Sequence, residues 1–156
     1  MKPSIDKPSV LIRPIVPADK TDWGRLWGGY LAFYEKTLEP DITEETWRRI
    51  VDPAVTDMIG RGAELGGRLV GMLHAVIHPN TWARRPVCYL EDLYVDEALR
   101  GSGIGRALIE ALAQEGRSRG WHRIYWRTAS DNANAKLLYD RVARRSGWVT
   151  YEIDLQ

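Results

Sequence analysis

Residues 89–115, YLEDLYVDEALRGSGIGRALIEALAQE, do most to narrow the folds open to this chain. They begin in strand fashion, with Tyr89, Leu90, Leu93, Tyr94 and Val95 apolar and Glu91 and Asp92 as adjacent carboxylates. A turn follows, Arg100-Gly101-Ser102-Gly103-Ile104-Gly105, and then Ile104, Leu108, Ala111 and Leu112 recur at helical spacing. A strand that passes through glycines into a helix leaves the first helical N–H groups unpaired, with the positive end of the helix dipole behind them. This predicts an anion site, most naturally for phosphate. The turn contains no lysine and no Gly-Lys-Ser/Thr ending, which argues against a clamp on a nucleoside triphosphate. Arg106 stands where a dinucleotide fingerprint would need glycine.

The remaining chain reads as alternating strands and helices. Residues 10–13 form a short strand stopped by Pro14, and Pro17-Ala18-Asp19 supplies a turn and helix cap. The helix over residues 20–36 lines up Trp23, Trp27, Tyr30 and Tyr34 on one stripe, which either packs on a sheet or borders a ligand. Gly28-Gly29 in its middle predicts a bend or a close approach. A second helix runs from a cap at residues 40–44 to Ile50, and Pro53 stops it. Residues 54–63 read as a short helix or a loop entering a strand, and Gly66-Gly67 as a hairpin turn into a strand over residues 68–77. Strands are expected at residues 87–95, 122–128 and 148–155, and helices through Arg119 and over residues 131–145. This order gives an α/β fold with a mixed sheet, hairpin-linked strands antiparallel and helix-linked strands parallel.

At 156 residues the chain has room for one domain, over residues 10–156, behind a flexible lead-in of residues 1–9. A net charge of +1 provides no global field for nucleic acid or a membrane surface, so neither is an expected partner. The single cysteine, Cys88, excludes an internal disulfide, and no apolar run reaches membrane-spanning length. The N-terminal residues lack an apolar signal core, so the expected location is cytoplasmic. The three histidines and one cysteine show no metal spacing, and no metal is expected. Cys88 reads as buried packing rather than an acyl-accepting nucleophile, since no base lies beside it in sequence.

The spacing Arg100-x-x-Gly103-x-Gly105 resembles the Arg/Gln-x-x-Gly-x-Gly/Ala loop of the GNAT superfamily of acetyl-CoA-dependent N-acetyltransferases. Downstream, Asn132-Ala133-Asn134-Ala135-Lys136-Leu137-Leu138-Tyr139 is similar to that family's Asn-x-x-Ala-x-x-Leu-Tyr. The resemblance covers nearly the whole order of elements. It implies a centrally splayed mixed sheet flanked by helices on both faces, with acetyl-CoA as co-substrate. It assigns the pantetheine arm to the backbone of Leu93, Tyr94 and Val95, with Leu93 polarising the thioester carbonyl. The pyrophosphate falls to Arg100, Gly101, Ser102, Gly103, Ile104, Gly105 and Arg106, and further cofactor contacts to Asn132 and Ala135. Tyr139 would protonate the departing thiolate.

The run YLEDLYV closely resembles the diamine and polyamine branch of GNAT, with its histone-directed relatives. That likeness implies Glu91 as a base acting through water and Asp92 as a holder of the substrate ammonium. In an unbroken strand the two would point to opposite faces, and a bulge would change this. His74 and His78 stay open as alternative bases. Tyr30, Phe33 and Tyr34 are expected on the acceptor side, because the first helix of such folds borders that pocket. The expected activity is acetyl transfer to a primary amine by direct attack in a ternary complex. A protein lysine is an alternative acceptor, and a non-catalytic acyl-CoA-binding regulatory module is the rival reading. The family usually has two strands after the last helix, whereas here there is room for one long or two very short ones. A bare sheet edge would result, which makes a homodimer the expected assembly.

Overall fold

A computed structural model describes residues 9–156 of the chain. Apart from Ser9, the expected lead-in lies outside the described residues. The chain divides into two units, one through Trp126 and the other Arg127–Gln156.

The first unit contains β1 (Leu11–Pro14), α1 (Lys20–Phe33), α2 (Pro40–Val51), β2 (Met58–Leu65), β3 (Arg68–His78), β4 (Val87–Val95), α3 (Ile104–Arg119) and β5 (Ile124–Tyr125). Short 3₁₀ turns occupy Pro17–Asp19 and Glu97–Leu99. The five strands form one mixed sheet in the order β1-β2-β3-β4-β5. The first three pairings are antiparallel, and only β4 and β5, joined through α3, run parallel. The expectation that helix-linked strands are parallel fails at β1 and β2, where Leu11 faces Glu64 and Pro14 faces Arg61 in antiparallel register. Two helices separate these strands, and the second reverses the chain once more. Pro14 is tolerated because β1 is an edge strand, with no second neighbour awaiting an N–H.

On one face of the sheet, Ile15, Trp23, Leu26, Trp27, Trp47, Ile50, Leu69 and Met72 form a continuous buried cluster under α1 and α2. Trp23 stacks on Trp27 at 5.8 Å and tilts against Trp47 at 5.0 Å. Such ring pairs contribute about 0.5–1.5 kcal/mol each beyond the area they bury. The first half of the aromatic stripe is therefore core. On the opposite face, α3 buries Ile104, Leu108, Ile109 and Leu112. A side chain at Gly71 on β3 would meet Ile104 and Leu108 at 3.2 and 3.3 Å, so the start of α3 crosses the sheet closely there. Arg61 of β2 reaches the same face and donates through Nε to Glu115 at 2.9 Å. Helices thus cover both faces.

Several boundaries differ from the expectations. α1 stops at Phe33 rather than residue 36, since Tyr34 is its C-cap and Glu35 takes a positive φ of 53°. Asp19 does not cap α1 through its side chain; its carboxylate turns back to the Val16 N–H at 2.8 Å and to Arg13 at 2.7 Å. Pro40 is itself the first residue of α2, where its missing N–H costs nothing. The ambiguous residues 54–63 resolve into a short connection and β2, which starts at Met58. β5 forms over only Ile124–Tyr125 instead of residues 122–128. No helix among the described residues is long and apolar enough to cross a membrane.

The second unit holds α4 (Ala133–Val142), shorter than the expected residues 131–145. Asn132 is its N-cap, and Ala143 leaves the helix in an extended conformation. The strand expected over residues 148–155 is not formed. Trp148, Val149, Tyr151, Ile153 and Leu155 are all exposed. An alternating apolar pattern becomes a strand only where a neighbour takes its backbone hydrogen bonds, and the second unit has no strand of its own among the described residues.

Candidate active site

The register between β3 and β4 slips once, placing Asp92 opposite His74 but Leu90 opposite Ala75, so Glu91 is the extra residue of a bulge. A bulge breaks strict alternation and re-aims the side chains on either side of it. Leu90 is buried, Glu91 is exposed, and the Asp92 carboxylate faces α1 with only 12% of its side chain accessible. On its other side β4 meets β5 only through Cys88 opposite Ile124 and Tyr89 opposite Tyr125. Leu93, Tyr94 and Val95 pair with Leu73, Met72 and Gly71 of β3 and have no β5 residue opposite them. The sheet therefore parts between its last two strands rather than at its centre, beside the backbone that the resemblance assigns to the pantetheine arm.

Asp92 is held from two directions. His74, buried on β3, meets its Oδ2 through Nδ1 at 2.8 Å, and the hydroxyl of Tyr30 on α1 hydrogen-bonds the same carboxylate. Burial, followed by the negative charge of Asp92, pushes the Tyr30 phenol well above its ordinary value. Tyr30 therefore stays protonated and is the donor. Among the described residues no lysine or arginine pairs with Asp92.

Around this carboxylate the second half of the α1 stripe opens outward. Tyr30 stacks on Trp27 at 5.4 Å, touches Tyr34 at 5.0 Å and meets Tyr94 edge-on at 6.4 Å. Phe33 and Tyr34 are exposed. Gly29 is where the close approach occurs: a Cβ there would lie 2.4 Å from the Tyr94 hydroxyl oxygen. The structure thus brings Glu91, Asp92, Tyr30, Phe33, Tyr34 and Tyr94 to one region. Arg100 joins them, its guanidinium 5.4 Å from the Phe33 ring centre and 5.3 Å from that of Tyr94, with Nε donating to the Val95 carbonyl at 3.3 Å.

Beyond β4 the chain is tied down before it turns. The Asp96 N–H donates to Val70 at 2.8 Å, and Arg25 of α1 bridges Asp96 at 2.6 Å and the Leu69 carbonyl at 2.8 Å. Gly101 and Gly103 then take φ of 80° and 89°, and Gly103 is the N-cap of α3. That cap makes no side-chain hydrogen bond, and the first turn carries no acidic residue. The Ser102 hydroxyl turns to the Leu99 carbonyl, and Arg106 extends along the helix to Glu110 at 2.7 Å. Gly103, Ile104, Gly105 and Arg106 so contribute main chain at a helix N-terminus with no competing carboxylate, which fits a phosphate group.

In the second unit, Asn132 Oδ1 accepts from the Ala135 N–H at 3.3 Å, and Ala135 and Tyr139 lie one turn apart on α4, both half-buried. Cys88 is fully buried, and burial with the nearby Glu115 charge pushes its thiol up to about 12, which leaves it no thiolate to act as a nucleophile. His78 contacts the Tyr125 hydroxyl at 2.7 Å. Among the described residues no group of three metal-ligating side chains gathers. The sequence offers His74 as an alternative base; the fold instead spends both its ring nitrogens on partners. Trp23, which holds the far side of that ring at 2.9 Å, carries no sequence signal beyond its place in the stripe.

A family model described as Acetyltransferase (GNAT) family matches residues 23–143. The chain is 32% identical over 145 residues to the D-amino-acid N-acetyltransferase HPA3 of Saccharomyces cerevisiae, covering 92% of this chain and 89% of that protein. It is 34% identical over 131 residues to the thialysine N-epsilon-acetyltransferase of Caenorhabditis elegans, covering 80% and 79%. Among solved structures, AAC(6')-Iy in complex with the bisubstrate analog CoA-S-monomethyl-acetylneamine superposes with a TM-score of 0.80 at 18% identity, covering 94% of this chain and 98% of that one.

Proposed function

This chain belongs to the acetyltransferase (GNAT) family and is an acetyl-CoA-dependent N-acetyltransferase; from that premise we propose that it acetylates a small primary amine bearing a second cationic group, by direct attack in a ternary complex. The observation that carries the acceptor class is the Asp92 carboxylate, held by two neutral donors, walled by aromatic rings and paired with no lysine or arginine among the described residues. A carboxylate in that setting is matched by an ammonium group. The reacting nitrogen must be neutral to attack, so the cation seated on Asp92 is a different group of the same acceptor. A relative acting on the ε-amine of thialysine suits this chemistry, since the α-ammonium of that substrate stays charged while the ε-amine reacts; a relative acting on D-amino acids matches it only where the side chain carries the second cation.

In this reading the main chain of Leu93, Tyr94 and Val95 holds the pantetheine, and the loop from Arg100 to Arg106 holds the pyrophosphate, with Asn132 and Ala135 beside the cofactor. The acceptor nitrogen loses its proton through water to Glu91, which is exposed at the bulge. It attacks the thioester carbonyl, the C–N bond forms as the C–S bond breaks, and Tyr139 gives its proton to the leaving thiolate. Tyr30, Phe33 and Tyr34 line the acceptor side. The polyamine branch is one member of this acceptor class and basic amino acids are another.

A thiol-release assay across diamines, polyamines, D-amino acids, thialysine, aminoglycosides and lysine peptides tests the assignment. Dicationic small amines should give the highest kcat/KM, and a preference for monoamines or for peptides would overturn it. In the same assay Tyr139→Phe should lower kcat by about a hundredfold without raising KM for acetyl-CoA. Glu91→Gln should lose activity near neutral pH and recover part of it as alkaline pH deprotonates the amine, and a wild-type pH profile would reject the base.

We further propose a homodimer in the cytoplasm. The alternation of Val149, Tyr151, Ile153 and Leu155, exposed and outside any strand, supports pairing with a second copy. The lone buried Cys88, with no disulfide, suits a reducing compartment. Sedimentation showing only monomer at micromolar concentration would remove the dimer.

A further inference from the structure

His74 lies at the back of the acceptor region, 3% exposed, with both ring nitrogens in contact. Nε2 is 2.9 Å from Trp23 Nε1, and Nδ1 is 2.8 Å from Asp92 Oδ2. An indole nitrogen can only donate, so Nε2 must present its lone pair to Trp23. The ring hydrogen is thereby committed to Nδ1 and points at the carboxylate. Trp27 closes the ring's flank at 5.4 Å, and the residue opposite His74 on β2 is Gly60, which brings no polar group. Trp23 itself is buried and packs against Trp27 and Trp47. Nothing in the cofactor half of the site needs this chain of contacts.

Building on the acceptor assignment above, we infer that Trp23 and His74 are positioning residues: the indole occupies the Nε2 lone pair and anchors the ring, and His74 Nδ1–H fixes the Asp92 carboxylate, so that its remaining lone pairs face the acceptor's ammonium. A carboxylate free to rotate at the bulge would lose that aim. Held between His74 Nδ1–H and the Tyr30 hydroxyl, it keeps one orientation and has no lysine or arginine partner among the described residues. The cationic acceptor supplies the missing charge.

The test begins with histidine-labelled full-length protein and no substrate, using long-range nitrogen–proton NMR to read the tautomer of each ring. His74, identified by the resonance lost in His74→Asn, should show hydrogen on Nδ1, and hydrogen on Nε2 would overturn the inference. Trp23→Phe keeps a flat apolar ring and removes the donor to Nε2; Asp92 still holds the hydrogen on Nδ1, so the Nε2 nitrogen resonance should move away from its hydrogen-bonded position, and an unchanged Nε2 resonance would overturn the role of Trp23. In kinetics, His74→Leu should raise KM for a dicationic amine on the order of tenfold. Its KM for acetyl-CoA should stay within about twofold, as expected for a group outside the cofactor half. His74→Asn, which retains a donor near the Nδ1 position, should recover most of that loss. Equal amine KM values for folded Asn and Leu variants would reduce His74 to packing. The NMR result does not depend on turnover, so a wrong acceptor class and a wrong tautomer give separate failures.

Discussion

On the α1 flank of β4 the candidate site is made of side chains, whereas beyond the end of β4 it is made of main chain. Asp92, Tyr30, His74 and Trp23 form a run of polar side-chain contacts closed in by aromatic rings. The loop into α3 turns its side chains elsewhere, with the Ser102 hydroxyl on Leu99, Arg106 on Glu110 and Arg100 lying over Phe33 and Tyr94. What remains at the tip is backbone held open by two glycines of positive φ. The first kind of site is specific and easily broken by a change of shape. The second tolerates changes of side chain and depends on conformation alone, which suits recognition of a phosphate by N–H groups.

That contrast can be broken at three places. Gly29→Ala pushes a methyl to within 2.4 Å of the Tyr94 hydroxyl oxygen, on the packed side. Overpacking of this kind costs about 1–3 kcal/mol, so the melting temperature should fall by about 2–12 °C in calorimetry, with a raised KM for the amine. No change in melting would show that the aromatic wall is looser than its contacts indicate. Gly103→Ala meets nothing within 4 Å, so its effect is purely conformational, from φ of 89°. A left-handed non-glycine costs about 1–2 kcal/mol, and acetyl-CoA titrations should weaken about 5- to 30-fold while amine KM stays put. Unaltered acetyl-CoA affinity would deny the loop its backbone role. Arg106→Gln should do least: its partner Glu110 is as exposed as it is, at 58% and 57%, and such surface pairs contribute about 0.2–1 kcal/mol. Acetyl-CoA affinity should change by less than about twofold, and a large loss would mean that the Arg106 side chain leaves Glu110 to touch the phosphates.

The backbone half was the more legible of the two from sequence. The glycine spacing, the strand over residues 87–95 and the helix ending at Arg119 all lie within one continuous stretch, and β4 and α3 form there as expected. The side-chain half was legible only in parts. The α1 stripe and the close approach at Gly29 follow from local periodicity, but which rings become core and which open outward depends on where α2 and β4 lie against them. The partnership of His74 with Asp92 depends on β3–β4 register across a long loop, and on a one-residue slip that no local pattern marks. The strand over residues 148–155 failed for a related reason: alternation states a capacity for pairing, and a partner must exist for it to be used.

The amino-acid order by itself determined the elements whose causes are local: the glycine loop and its uncapped helix, the hairpin at Gly66-Gly67, the amphipathic faces of α1 and α3, and the family that those motifs resemble. Only the tertiary structure decided that the sheet parts after Tyr89, that Glu91 is squeezed out as a bulge, and that Trp23, His74, Asp92 and Tyr30 meet. Dihedral preference and hydrophobic period act over a few residues, whereas register, splay and a chain of hydrogen bonds arise only when segments distant in sequence pack and each buried polar group must find a partner.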